Sequence, residues 1–175
     1  MKLESKRPKK ITIVIDHFFK KDEFYSFKEQ ISLLNGKNAN DKLTTLWYKF
    51  GENHQFFKLC SSLLEEAKNY YDFSSAVGYE FWTQNNTRPP TLHYDRDEKL
   101  YNEKKIFSFP ICSIIFYVIV DNLSGGNLIL DSDVIHPKEN RLVIFPPGVL
   151  HEVEEFQGNR TSVLVNPWNT TLYNP

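Results

Sequence analysis

Between residues 77 and 168 the chain keeps returning to short apolar, β-branched or aromatic runs separated by turn residues. This patterning limits the fold more than any other feature of the sequence. Segments 77–83, 91–95, 111–120, 127–130, 134–135, 141–145, 149–156 and 160–165 read as about eight strands. The run 111–120 is almost continuously apolar, which predicts a strand buried on both faces. Upstream, 11–15 and 43–50 also read as strands, and two segments carry helical spacing instead. In the first, Asp22 is the expected N-cap, Phe24, Phe27, Ile31 and Leu34 form the stripe, and Asn35-Gly36 is the expected stop. In the second, 54–71, the stripe is Phe56, Leu59, Cys60, Leu63, Leu64, Ala67 and Tyr71. Segments 36–41 and 85–90 read as loops, and the charged stretch 96–105 as a surface loop able to move. The pattern predicts an α+β domain with a β-sandwich or barrel core and helices over one outer face of a sheet.

Composition narrows the function. Lys plus Arg number 21 and Asp plus Glu 22, so no basic field exists to draw in nucleic acid. The basic run in residues 1–10 reads as a solvated tail. It lacks an apolar core, which predicts no secretory signal, and 111–120 is too short to span a bilayer. Cys60 and Cys112 lie in apolar contexts without metal spacing and read as buried thiols of a reducing, cytoplasmic compartment. The 175 residues suit a single domain: a tail at 1–10, a strand-and-helix support at 11–72 and a β core at 77–168.

Two stretches carry chemistry. In His93-Tyr94-Asp95, the outer residues share one face of an extended segment, separated by roughly 6–7 Å of rise, so both can reach one ion. His151 follows the corner Pro146-Pro147-Gly148 and is the natural third ligand. Two imidazoles and one carboxylate leave adjacent coordination positions open, the pattern of non-heme Fe(II) sites that use oxygen. Arg160 follows a small turn expected at Gln157-Gly158-Asn159, which would place it one strand over from His151. Its planar guanidinium suits a carboxylate, and Ser162 shares its face. Each piece has a plainer reading. An isolated His-x-Asp is more often a surface pair. Asp97 or Glu98 could replace Asp95, although Asp97 reads as solvated. Arg160 could pair with Glu154 or Glu155, and Gly125-Gly126 could be only a hairpin. His17 and His136 read as structural, and His54 as a surface or capping residue.

Taken in order, HYD at 93–95, SGGNL at 124–128, IHPKENRLVIFPPGVLHEV at 135–153 and GNRTS at 158–162 resemble the 2-oxoglutarate- and Fe(II)-dependent oxygenases, specifically the compact prolyl-hydroxylase-like branch. The resemblance spans about residues 77–168 and extends more weakly to the N-terminal strand and helix. It implies a double-stranded β-helix (jelly roll) with two N-terminal helices packed on one sheet. It implies Fe(II) on His93, Asp95 and His151, and the distal carboxylate of 2-oxoglutarate on Arg160 and Ser162, with Tyr117 as the helping tyrosine. It also implies O₂ as co-substrate, ascorbate as an optional reductant, and succinate and CO₂ as co-products. Hydroxylation is the implied outcome because the carboxylate ligand Asp95 is present. Three positions depart from the pattern. Asn140 stands where Gly is usual before the 141–145 strand, and tolerates the same left-handed turn. Asn127 replaces an acidic residue. Asn166 stands where a Trp is usual, with Trp168 two residues later on the same face.

Trp82, Asn86, Arg88, Asn166 and Trp168 are the candidates for the substrate pocket. The substrate is expected to be a peptidyl side chain such as proline, or a free amino acid or small metabolite, with no nucleic acid or membrane partner. Two alternatives stand beside this reading. A cupin-type metalloprotein would also use the element Pro146–His151, but would want an upstream His-x-His and a glutamate ligand and would have no use for Arg160. A non-catalytic β-sandwich binding module would not need an intact ligand set.

Overall fold

The computed structural model describes residues 11–37, 45–85, 90–131 and 133–173. The tail at 1–10 and the pocket candidates Asn86 and Arg88 lie outside them. In chain order the elements are β1 (Ile13–Asp16), α1 (Lys21–Lys37), β2 (Leu46–Lys49), α2 (Phe57–Ala67), β3 (Gly78–Gln84), α3 (Glu98–Lys104), β4 (Ser113–Gly125), β5 (Leu128–Leu130), β6 (Asp133–Ile135), β7 (Arg141–Phe145), β8 (His151–Val153) and β9 (Phe156–Trp168). They build two antiparallel sheets. One has six strands in the order β1-β7-β4-β9-β3-β2, and the other has three in the order β6-β5-β8.

The six-stranded sheet is apolar on both faces, and strand alternation sorts its side chains into two cores. Ile114, Phe116 and Val118 of β4, Leu142 and Ile144 of β7, and Val163 and Val165 of β9 join Phe24, Phe27 and Ile31 of α1 and Leu59, Leu63 and Leu64 of α2 in one cluster. The opposite face contributes Ile115, Tyr117, Val143, Phe145 and Leu164. They meet Leu128, Leu130, Ile135 and Val153 of the small sheet in a second cluster. The functional residues line this second, inter-sheet space. The near-continuous apolar run of β4 is therefore a strand between two cores, as its pattern predicts.

Several local expectations change. Asp22 lies inside the first turn of α1 with Glu23, where a negative charge still favours the helix N-terminus, and α1 continues through Asn35-Gly36 to Lys37. The second helix is shorter than its stripe. His54 precedes it, accepts from the Phe56 amide through Nδ1, shares a 2.7 Å hydrogen bond with Tyr79 through Nε2 and stacks on Tyr48. The stretch 96–105 is not a loop: it holds α3. Asp97, expected to be solvated, is buried and caps this helix by accepting from Leu100 N at 2.9 Å, while its other oxygen accepts from Tyr173 N at 2.6 Å. Helix α3 buries no residue, so it has no apolar stripe to betray it. Asn140 takes the left-handed conformation expected of it, with φ 59°. Its amide also bridges the backbone N and O of Phe19 at 2.9 and 2.8 Å, tying the β1–α1 connection to the start of β7.

The largest correction concerns turns. Ser124-Gly125-Gly126 does not close a hairpin, because β4 pairs with β7 and β9 while β5 pairs with β6 and β8. The glycines carry the chain from one sheet to the other. Gln157-Gly158-Asn159 is not a turn either. It lies within β9, opposite an irregularity in β4, and a Cβ on Gly158 (φ 103°) would collide with the Asn122 carbonyl. The chain instead crosses back between sheets at Glu154-Glu155. His151 and Arg160 therefore lie on different sheets, not on neighbouring strands.

Candidate metal centre and carboxylate anchor

His93 and His151 are held face to face by the backbone. Their amides and carbonyls exchange both hydrogen bonds, each 2.9 Å, in an isolated antiparallel bridge. The 91–95 segment is thus extended as expected, but it contributes this single pairing and no longer strand. The bridge brings the two rings to 4.3 Å between centroids. Each Nδ1 faces a backbone carbonyl two residues earlier, Thr91 O at 2.7 Å and Val149 O at 3.0 Å. A nitrogen against a carbonyl oxygen must carry the proton, so in the neutral imidazole each Nε2 is a lone pair. Asp95 Oδ1 lies 3.8 Å from His93 Nε2 and 3.7 Å from His151 Nε2. One ligand atom from each of the three residues falls within 4.8 Å of the others. Burial pushes the His151 pKa down, which keeps it neutral and coordinating.

Three electron-pair donors converging with no proton between them repel one another unless a cation lies among them, so this donor set fits a metal ion. Two nitrogens and one oxygen suit Fe(II) with open positions. The outer contacts hold the ligands in place. Ser113 Oγ donates to Asp95 Oδ2 at 2.6 Å, and the Phe145 ring meets His151 edge-on at 5.0 Å. The His93 side chain is 35% exposed, Asp95 11% and His151 5%, so the centre opens on the His93 side.

Deeper between the sheets is a second polar group. Arg160 is only 3% exposed, yet its Nε and Nη2 have no hydrogen-bond partner. Its Nη1 reaches Gln84 Oε1 at 3.4 Å, and the guanidinium lies 5.1 Å over the Tyr117 ring. Tyr117 Oη and Ser162 Oγ are also buried and unpartnered, and Tyr117 is the register partner of Ser162. Burial raises the Tyr117 pKa, so its hydroxyl is a donor. No carboxylate pairs with Arg160 among the described residues, and Glu154 and Glu155 are not its partners. A buried charge with two idle donors beside two idle hydroxyls is costly unless an anion completes it. Gly126 explains how the arginine fits: a Cβ there would lie 3.4 Å from Arg160 Cδ and 3.2 Å from Phe156 Cβ.

The remaining candidates fall on the same inner face. On β3, Glu80, Trp82 and Gln84 register against Asn166, Leu164 and Ser162 of β9. Trp82 packs at the edge of the inter-sheet core. Trp168 is fully buried and donates from Nε1 to Glu80 Oε2 at 2.8 Å. Asn166 is 2% exposed with Oδ1 unpartnered. Burial pushes the Glu80 pKa up to about 7, opposed by the Trp168 hydrogen bond and reinforced by the negative charges of Asp95 and Asp97. Asp97 is spent on capping α3 and is not a metal ligand. Sequence reasoning missed Glu80, Gln84 and Ser113. Strand alternation from Trp82 could have found the first two.

No family model matches the chain, and no curated protein matches it by sequence. Solved structures match it by fold. A prolyl-4-hydroxylase from Pseudomonas putida aligns with TM-score 0.66 at 16% identity, over 93% of this chain and 95% of that one. A viral collagen prolyl hydroxylase from Paramecium bursaria Chlorella virus-1, in complex with 2-oxoglutarate, aligns with TM-score 0.61 at 14% identity, over 93% and 98%. HygX from Streptomyces hygroscopicus, with nickel and 2-oxoglutarate bound, aligns with TM-score 0.60 at 11% identity, over 94% and 86%. The chain has the fold of the prolyl-hydroxylase-like branch of the 2-oxoglutarate- and Fe(II)-dependent oxygenases.

Proposed function

We propose that this protein is a single-domain Fe(II)- and 2-oxoglutarate-dependent dioxygenase, a hydroxylase built on a double-stranded β-helix. The observation that carries the proposal is the pairing of two incomplete groups in one inter-sheet space. His93, Asp95 and His151 lack only a cation, and Arg160 with Tyr117 and Ser162 lacks only an anion. A keto-acid with a second carboxylate is the ligand that meets both needs. The solved structures of similar fold support this reading, because two of them hold 2-oxoglutarate.

In this assignment His93, Asp95 and His151 hold the metal through Nε2, Oδ1 and Nε2. When bound, Fe(II) and 2-oxoglutarate with O₂ supply the oxidation that places a hydroxyl on an unactivated C–H bond, with succinate and CO₂ released. The Thr91 and Val149 carbonyls keep both imidazoles in the metal-binding tautomer, and Ser113 fixes the Asp95 carboxylate. Arg160, Tyr117 and Ser162 offer donors to the distal carboxylate of the co-substrate. The apolar residues Ile115, Val143 and Leu164 between the two groups exclude water. The substrate is a peptidyl side chain or a free small molecule entering from the His93 side, past Trp82, Asn166 and Trp168. Asn86 and Arg88, next in sequence to β3, remain candidates for its rim. Ascorbate serves as accessory reductant. The protein acts in the cytoplasm, without nucleic-acid or membrane partners. No helix among the described residues is long and apolar enough to cross a membrane.

The test is succinate release from 2-oxoglutarate by anaerobically Fe(II)-loaded protein on admitting air. Turnover abolished by His151→Ala and by Arg160→Ala supports the assignment. A protein that binds neither divalent metal nor 2-oxoglutarate sinks it. Metal binding without any 2-oxoglutarate dependence would point instead to a cupin-type protein.

A further inference from the structure

The inner face of the six-stranded sheet carries its side chains in cross-strand rows. One row continues outward from the metal centre. Ser113, which holds Asp95, precedes Ile114. Ile114 is the register partner of Val165, so Ser113 and Asn166 flank that pair on the inner face. Asn166 in turn registers against Glu80 on β3. The row Glu80–Asn166–Ser113 therefore leads directly to the metal's carboxylate ligand. It is separate from the Gln84–Ser162–Tyr117 row at the co-substrate anchor, with Trp82 and Leu164 between them.

The outer end of this row is rich in acceptors and short of donors. The Trp168 indole N–H serves Glu80 Oε2 and leaves Oε1 open to a further donor. Asn166 Oδ1 is buried and has no partner. The charges that reach Glu80, from Asp95 and Asp97, are of its own sign. In its ionised form a mostly buried carboxylate among like charges, beside an unpartnered amide oxygen, is stabilised by N–H donors that bring positive charge; without them it takes up a proton instead.

We infer that Glu80 and Asn166 form a substrate subsite that selects a cationic nitrogen, an ammonium or guanidinium group, and thereby presents the neighbouring C–H bonds to the metal. This rests on the oxygenase reading for what happens next, but not for the binding itself. The cation donates to Glu80 Oε1 and Asn166 Oδ1 together, two charge-assisted or dipolar hydrogen bonds in a site that Trp82 and Trp168 wall with rings. Trp168 acts as a positioning residue by holding the Glu80 carboxylate through its indole.

The test reads the subsite without turnover. In ¹⁵N-labelled protein the indole N–H of Trp168, assigned by Trp168→Phe, reports on Glu80. Butylamine and butylguanidine are titrated against 1-butanol and butyrate, in metal-free protein and in protein with Zn(II) and 2-oxoglutarate. Butylamine and butylguanidine should move the Trp168 signal saturably, while butanol and butyrate do not. Glu80→Gln should weaken the cations at least tenfold, and Asn166→Leu several-fold, with the remaining spectrum unchanged. Equal response to butanol and butylamine, no response to any probe, or undiminished binding in Glu80→Gln overturns the inference. Should Glu80→Gln fail to fold, the comparison of amine with alcohol on the wild-type protein decides. Cation binding without Fe(II)- and 2-oxoglutarate-dependent turnover would refute the oxygenase assignment alone. Turnover without cation selectivity would refute this inference alone.

Discussion

Arg160→Met should make the free protein more stable and deprive it of the proposed anchor for 2-oxoglutarate. The guanidinium is 3% exposed, and two of its donor nitrogens, Nε and Nη2, are unpartnered. Each stranded donor costs about 1–3 kcal/mol. Against this, the substitution gives up the face contact with Tyr117, worth about 1 kcal/mol, and one long 3.4 Å hydrogen bond to Gln84 of at most about 0.5 kcal/mol. Methionine fills similar volume and adds no unmet polar atom. The net expectation is a gain of about 2 kcal/mol, which at this chain length raises Tm by roughly 4–8 °C. The same change deletes the anion's charged partner, and 2-oxoglutarate at a concentration that saturates the wild type should raise Tm far less. In the wild type, a concentration one hundred times Kd should stabilise by about 2.7 kcal/mol. Differential scanning calorimetry of metal-loaded wild type and variant, each with and without 2-oxoglutarate, measures both terms. A variant less stable than wild type, or one stabilised by the keto-acid as much as wild type, would refute the reasoning that the arginine is held in readiness for an anion.

Three further expectations concern the surroundings. Ser113→Ala removes the 2.6 Å hydrogen bond to Asp95 Oδ2 and should weaken Mn(II) or Co(II) binding about 10–100-fold by calorimetric titration, with little change in fold. Asp97→Ala strips the cap of α3 and the acceptor of Tyr173 N, and should cost about 1–2 kcal/mol in urea unfolding; an unchanged midpoint would dissociate the cap from stability. The pH dependence of Glu80 has a definite sign. Its folded pKa, about 7, lies above its ordinary 4.5, so the folded state holds the proton more tightly and stability falls as pH rises between those values. Glu80→Gln keeps the acceptor for Trp168 and should remove this loss. In chelated protein its stabilising effect should grow by up to roughly 3 kcal/mol from pH 4 to pH 8. A difference that is flat with pH would mean that the folded pKa of Glu80 is not raised.

Much of the site was readable from the chain because its chemistry is local. The two-residue spacing of His93 and Asp95, the corner before His151, and the alternation of Arg160 with Ser162 follow from residue type and strand period. So does the double burial of β4, whose unbroken apolar run has no polar face to offer water. The left-handed turn at Asn140 follows for the same reason, since few residues tolerate positive φ. What stayed hidden depends on partners far away in sequence. Gly125, Gly126 and Gly158 look like hairpin glycines, because turn propensity describes one backbone position and cannot tell a reversal within a sheet from a crossing between two sheets. That choice belongs to the pairing of β4 with β9 and of β5 with β8, and it moved His151 and Arg160 onto opposite walls of one cleft. Glu80 and Asn166, 86 residues apart, become neighbours only through the β3–β9 register, and α3, with no apolar stripe, is specified by the Asp97 cap and not by periodicity. The sequence by itself singled out the residues proposed to bind a metal and a carboxylate. Only the tertiary structure decided which sheet presents each of them, because strand register is set by the burial of two cores at once and no single segment contains that information.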